Sequence, residues 1–164
     1  MGHPRRETPT MANPDDTAAL AAAFTSAHYL VPALGDAGRV HVGVQATALE
    51  SRVPAAGYAF ITAWNPDSAS ASRMNNDRAD GELVAELDRL GARRSRAHAK
   101  DDQGGHREDG WLVLDLPVQD IDRLARRFGQ DGVLTWQAGQ PVRLRLYHDE
   151  PEDAADMLWV DWAG

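Results

Sequence analysis

The chain contains no cysteine in its 164 residues. That excludes a disulfide framework, thiolate nucleophiles and cysteine-based metal sites, and it suits a reducing compartment such as the cytosol. No apolar run approaches the ~20 residues that a membrane-spanning helix needs. Arg5 and Arg6 stand near the N-terminus, but Asp15 and Asp16 then precede a merely alanine-rich stretch, which is not the pattern of a secretory signal. The phosphate-cradling patterns G-x-G-x-x-G and G-x-x-x-x-G-K-[ST] are missing, as are the zinc-binding H-E-x-x-H and the nucleophile elbow G-x-S-x-G. Asp101-Asp102-Gln103-Gly104-Gly105 lacks the ligand spacing of a calcium loop. The expectation is a cytoplasmic chain with no membrane segment, no metal and no cofactor.

Charge of one sign is also scarce where it would matter for nucleic acid. Of the net charge of -8, six negatives lie between residues 149 and 164: Asp149, Glu150, Glu152, Asp153, Asp156 and Asp161, with no base among them. The rest of the chain is near neutral. Phosphate neutralisation dominates nucleic-acid affinity, so an acidic chain without an aromatic-basic pattern is a poor candidate for that partner. The remaining partners are a small polar ligand or another protein. The histidines His98 and His106 flank Asp101 and Asp102, but in no compact metal spacing, and they read as solvated loop residues.

A length of 164 residues points to a single domain, large enough to bury roughly 70% of its unfolded surface. Residues 1 to 14 hold Pro4, Pro9 and Pro14 and little apolar content, and read as a disordered tail, with Met11 as an alternative start. Residues 15 to 148 read as the domain, and 149 to 164 as an acidic tail carrying Trp159 and Trp162, able to dock on the domain or on a partner.

Within the domain, a helix from Asp16 to about His28 has the stripe Leu20, Phe24, Ala27. Val40, Val42 and Val44 alternate as in a half-buried strand, and a short helix over Thr47–Val53 stops before Pro54. Tyr58–Trp64 is apolar on both faces, as a central strand would be. After a polar loop over 67–76, Leu83, Val84, Leu87 and Leu90 mark a helix closed by Gly91. The charged Arg93–Lys100 reads as an edge strand. Asp101–Asp109 reads as a loop, and Trp111–Leu116 as a strand. Ile121, Leu124, Ala125 and Phe128 give the clearest helix, and Val133–Gln137 with Val142–Tyr147 a hairpin. From about residue 57 the order is strand, helix, strand, strand, helix, strand. The fold class expected is therefore α+β with a ferredoxin-like, split βαβ order, preceded by a helix and strand and extended by the hairpin.

The segment Phe60-Ile61-Thr62-Ala63-Trp64-Asn65-Pro66 followed by a Ser/Asn-rich loop, Glu108 just ahead of Trp111-Leu112-Val113, and Phe128-Gly129-Gln130 before a strand together resemble a bacterial family known as domain of unknown function 3293. The resemblance spans about residues 29 to 147. It implies a bacterial cytoplasmic setting and no particular reaction. Family members commonly carry a serine shortly after the glutamate, where this chain has Gly110, so no role of that serine transfers.

The polar set Thr62, Asn65, Asn75, Asn76, Glu108 and Gln130 is the candidate ligand-binding site. Thr62 and Asn65 fall at the end of a central strand and Asn75 and Asn76 in the loop entering the next helix, a junction that suits an anion. Glu108 suits a general base or a hydroxyl ligand. The blander alternative is that Asn-Pro makes a turn, Asn76 caps a helix and Gln130 satisfies loop backbone. Split βαβ topology brings Glu108 to Asn65 and puts Gln130 at the opposite end of the sheet, so Gln130 rests on the family resemblance alone. Two functions compete: a non-enzymatic binding or regulatory module, favoured by the missing catalytic constellation, and an enzyme or sensor acting on a small polar or nucleotide-like ligand at the ITAWNP loop.

Overall fold

The computed structural model describes residues 14–66 and 69–164. The tail expected over residues 1 to 14 lies outside the described residues except for Pro14, which opens the first helix. The chain runs through α1 (Pro14–Ser26), β1 (His28–Leu30), a 3₁₀ stretch over Pro32–Gly38, β2 (Arg39–Val40), α2 (Thr47–Arg52), β3 (Gly57–Thr62) and α3 (Arg73–Arg89). It continues through β4 (Arg93–Lys100), β5 (Glu108–Leu114), α4 (Val118–Arg127), β6 (Gly132–Gln137), β7 (Arg143–Leu146) and β8 (Val160–Trp162). The architecture is mixed α/β. The described strands form one eight-stranded sheet in the order β2-β1-β4-β5-β3-β6-β7-β8. Neighbours are antiparallel except β7 and β8, which run parallel. The sheet curls until bridges join Val42 to Val142 and Gln45 to Pro141. No helix among the described residues is long and apolar enough to cross a membrane.

The sheet has a core on each face, and β3 feeds both. Its alternation sends Tyr58 and Phe60 one way, to pack with Leu112, Leu114, Leu134, Leu144 and Tyr29. Ala59 and Ile61 go the other way, against Leu83 and Leu87 of α3 and Ile121, Leu124, Ala125 and Phe128 around α4. Both helices close on glycines at positive φ, Gly91 and Gly129, which satisfy the last turn's carbonyls: Ala92 N–H donates to Leu87 O and Gln130 N–H to Ala125 O.

Several expectations need correction. The first helix ends at Ser26, because His28–Leu30 pairs with β4 as a strand that three residues of sequence do not announce. Of the Val40–Val44 alternation only Arg39–Val40 is a strand, and Val44 is exposed. The charged β4 is an edge only in part: β5 flanks Arg93–Ala99 and β1 covers His98–Lys100, so Arg93–Ala97 pairs on one side alone. Its arginines are tolerated because they reach solvent and carboxylates, as with Arg96 on Asp80 at 2.9 Å. Leu116 leaves the face of Leu112 and Leu114, since Asp115 at φ 56° turns the chain over. The acidic C-terminal segment lies on the domain through β8, where Leu144 N–H donates to Trp159 O and Asp161 binds Arg143 through both carboxylate oxygens.

Leu124 is fully buried between α4 and β3, so Leu124→Ala should lower unfolding free energy by about 2–5 kcal/mol in urea titration. A loss under about 1 kcal/mol would mean that α4 is not part of the core.

Candidate functional site

At the end of β3 the chain leaves the sheet through buried Ala63 and Trp64 into Asn65, whose φ is 50°. Asparagine is among the few residues with a side chain that accept this left-handed backbone. Here the conformation is held by bonds from three sides. The Asn65 N–H donates to Asn76 Oδ1 at 2.9 Å, and Asn76 Nδ2 donates back to Asn65 Oδ1 at 3.0 Å. Asn65 Oδ1 also accepts from the Ala71 N–H, and Asn65 Nδ2 donates to Glu108 Oε1 at 2.8 Å. One side chain thus ties together the turn, the first turn of α3 and the start of β5.

Each expected site residue has a definite place. Thr62 is buried and structural: its hydroxyl donates to Asp109 O and accepts from the Trp64 N–H. Asn76 is buried inside α3 and does not cap it. The cap is Ser72, whose Oγ accepts from the Asn75 N–H. Asn75 is exposed and, among the described residues, joins through that backbone bond, apart from the cluster. Glu108 lies in β5 rather than in a loop. Gln130 is not at the opposite end of the sheet. Its Nε2 donates to Trp64 O at 3.0 Å and Phe128 O at 3.2 Å. The reason is the antiparallel register, in which Phe60 pairs with Leu134. The loop before β6 therefore opens beside the end of β3, where the start of β5 also lies.

Glu108 and Gln130 line a cavity of about 410 Å³ together with Thr62 and Asn65. Leu20 and Phe24 of α1, Tyr29 and Phe60 form its apolar wall; Lys100 and His106 stand at its polar side. Burial pushes the Glu108 carboxyl above its ordinary value, against the opposing pull of the Asn65 amide and His106. Burial, and secondly the Glu108 charge, likewise push the Tyr29 hydroxyl up, and that hydroxyl donates to Phe24 O at 2.6 Å. A larger concavity of about 730 Å³ opens near Gly57 and Thr135, but its arginines are already neutralised, Arg143 by Asp161 and Arg145 by Asp122. Among the described residues no group of three or more His, Asp or Glu side chains is placed to hold a metal.

The sequence reading missed the apolar wall. The stripe Leu20, Phe24, Ala27 is visible as a helix face, but nothing local says that it roofs the end of β3. Lys100 and His106 had only their nearness in sequence to Glu108 as a signal. Gly110 has a steric reason of its own: a Cβ there would lie 2.5 Å from Ile61 O. A serine at 110 would force β5 away from β3.

These features define a mixed α/β domain whose cavity is floored by a closed asparagine–glutamate network. Residues 61–133 match the model of the family described as Protein of unknown function (DUF3293), and the match supports assigning this stretch to that family. The match runs from the end of β3 to the start of β6 and takes in all six expected site residues. No curated protein and no solved structure matches the chain.

A carboxyl whose folded pKa is raised binds its proton more tightly in the native state, so stability falls as pH rises from the unfolded value, about 4.3, through the folded one. Glu108→Gln removes that loss and keeps an acceptor for Asn65. The variant should melt higher than the parent at pH 7–8, with the gap shrinking as pH falls toward about 4.3 and staying constant below it. A gap independent of pH would show that Glu108 is not the titrating group.

Proposed function

We propose that this chain is a small-molecule-binding module, whose ligand lies in the cavity between α1 and the end of β3 with an apolar body against Leu20, Phe24 and Phe60. The observation that carries this reading is the division of that cavity. One wall is apolar, while Glu108 and Gln130 face it from a floor in which Asn65, Asn76 and Thr62 are already satisfied by one another and by backbone. Such a floor is preorganised, and the polar groups it leaves over orient a ligand. The ligand's polar end is a donor, an amine, amide or hydroxyl group directed at the Glu108 carboxylate.

A second reading, an enzyme or sensor for a polar or nucleotide-like ligand in the same place, is favoured by one observation. Glu108 holds its proton more tightly than an ordinary glutamate and has His106 nearby, a pairing suited to general acid–base work. We also infer that the unit from Gly57 follows the ferredoxin-like order, which the antiparallel neighbours β4-β5-β3-β6 and the joining helices α3 and α4 support. Residues 15–148 act on this reading as the domain, braced by the acidic segment 149–164, in a bacterial cytoplasm.

A thermal-shift screen of amphipathic amines, amides and nucleosides tests the proposal, since a ligand at 100 times its Kd adds about 2.7 kcal/mol. Stabilising compounds should bind Glu108→Gln at least about tenfold more weakly, ~1.4 kcal/mol, and Asn75→Ala unchanged. Compounds insensitive to both Glu108→Gln and Gln130→Ala would move the site elsewhere, and turnover of a bound compound would favour the second reading.

A further inference from the structure

Strands β1 and β4 carry a second constellation on the face opposite Tyr29 and Ala99. In their register His28 pairs with Lys100 and Leu30 with His98, so alternation puts His28, Leu30, His98 and Lys100 on one face, while Tyr29 and Ala99 point into the core. Arg39 of β2 pairs with Leu30 and joins the same face. His41 follows two residues on, and its ring meets that of His28 edge-on with centroids 6.5 Å apart. These groups, with Gly104 from the loop after β4, line a cavity of about 340 Å³.

Three histidines, a lysine and an arginine converge here from three chain segments of a protein whose net charge is -8. No carboxylate is among the described residues lining the cavity. Of the acids close by in chain or register, Asp36 pairs with Arg39 at 3.3 Å and offsets its charge, Asp109, opposite His98 in the register, pairs with Arg107 at 2.8 Å, and Asp101, next to Lys100, accepts from the Gln103 and Gly105 N–H groups. His98, expected to be a solvated loop residue, is instead 8% exposed within β4, and its Nδ1 is buried without a hydrogen-bond partner. A buried, unpartnered imidazole beside fixed positive charge is not what core packing asks for.

We propose that this cavity is a second binding site, for a phosphate or phosphoryl monoester group. A compact oxyanion accepts several hydrogen bonds at once, and imidazole, ammonium and guanidinium donors supply them with matching charge. A cation is disfavoured by Lys100 and Arg39. A nucleic-acid strand is disfavoured because so small a patch cannot neutralise several phosphates against an acidic body. Lys100 borders the Glu108 cavity as well, whereas His28, His41 and His98 belong to this one alone, so the proposal stands without the reading given above.

Burial, then the Arg107 and Lys100 charges, hold the His98 pKa below its ordinary value, while Asp109 opposes them. A bound dianion should reverse that direction. The test is NMR of the imidazole signals of the full chain, titrated with inorganic phosphate at constant ionic strength, because salt alone screens surface charge. Signals of His98, His28 and His41 should shift together and saturate, the His98 pKa should rise, and His148, bonded to Asp131 elsewhere, should stay still. His41→Gln, at an exposed position, should weaken phosphate at least about fivefold, as should His98→Gln if it folds, while Asn75→Ala, at an exposed position on α3, should leave it unchanged. In a parallel arm glycerol 3-phosphate replaces phosphate. Tighter binding of the ester assigns the site to a phosphoryl group on a larger molecule, and tighter binding of phosphate to the free ion. No saturation up to about 20 mM, equal movement of His148, or undiminished affinity in His41→Gln would overturn the proposal.

Discussion

Strand β3 has no face turned to solvent and no free edge: β5 and β6 flank it, α3 and α4 cover one side, and the curled sheet with α1 and α2 encloses the other. Burying residues such as Phe60 and Ile61 contributes about 1.5–3 kcal/mol each, and both neighbours run antiparallel to β3. That single constraint fixes where everything polar must go. Where β3 ends, β5 and β6 must begin, so residues far apart in sequence arrive at one end of the sheet: Asn65 from the first, Glu108 from the second, Gln130 from just before the third.

The crowding at that end is resolved by amide chemistry. A left-handed residue costs of order 1–3 kcal/mol unless its surroundings over-determine it, and Asn65 is over-determined by Asn76, the Ala71 N–H and Glu108. A network with every member satisfied is rigid, and one with a member missing is expensive. The turn is thereby fixed for reasons of stability, and the same fixing holds Glu108 and Gln130 toward the cavity. Thr62, Asn65 and Asn76 thus hold the turn, while Glu108 and Gln130 also line the cavity on which the proposed ligand site rests.

Charge is segregated along the sheet in a way that net charge conceals. The acidic C-terminal segment attaches through β8 at one end of the strand order, where Asp161 meets Arg143. His28, His98, Arg39 and Lys100 lie on β1, β4 and β2 at the other end of that order, with His41 just beyond β2. Segregation of this kind produces local potentials that steer charged ligands toward one face.

The sequence by itself determined the elements whose patterning is long and one-sided. The stripe of Ile121, Leu124, Ala125 and Phe128, the two-faced β3 and the hairpin from Val133 are legible because burial imposes a period on many residues at once. The polar set around Asn65 and Glu108 was legible too, since both residues flank strands whose adjacency the element order suggests. Only the tertiary structure decided what depends on pairing rather than pattern. β1 has three residues, too few for a period, and exists because β4 offers it an edge. His98 is buried for the same reason. Gln130 reaches Trp64, and α1 roofs a cavity, because antiparallel register and sheet curl bring them there. Register and curvature are properties of several strands together, and no one segment encodes them alone.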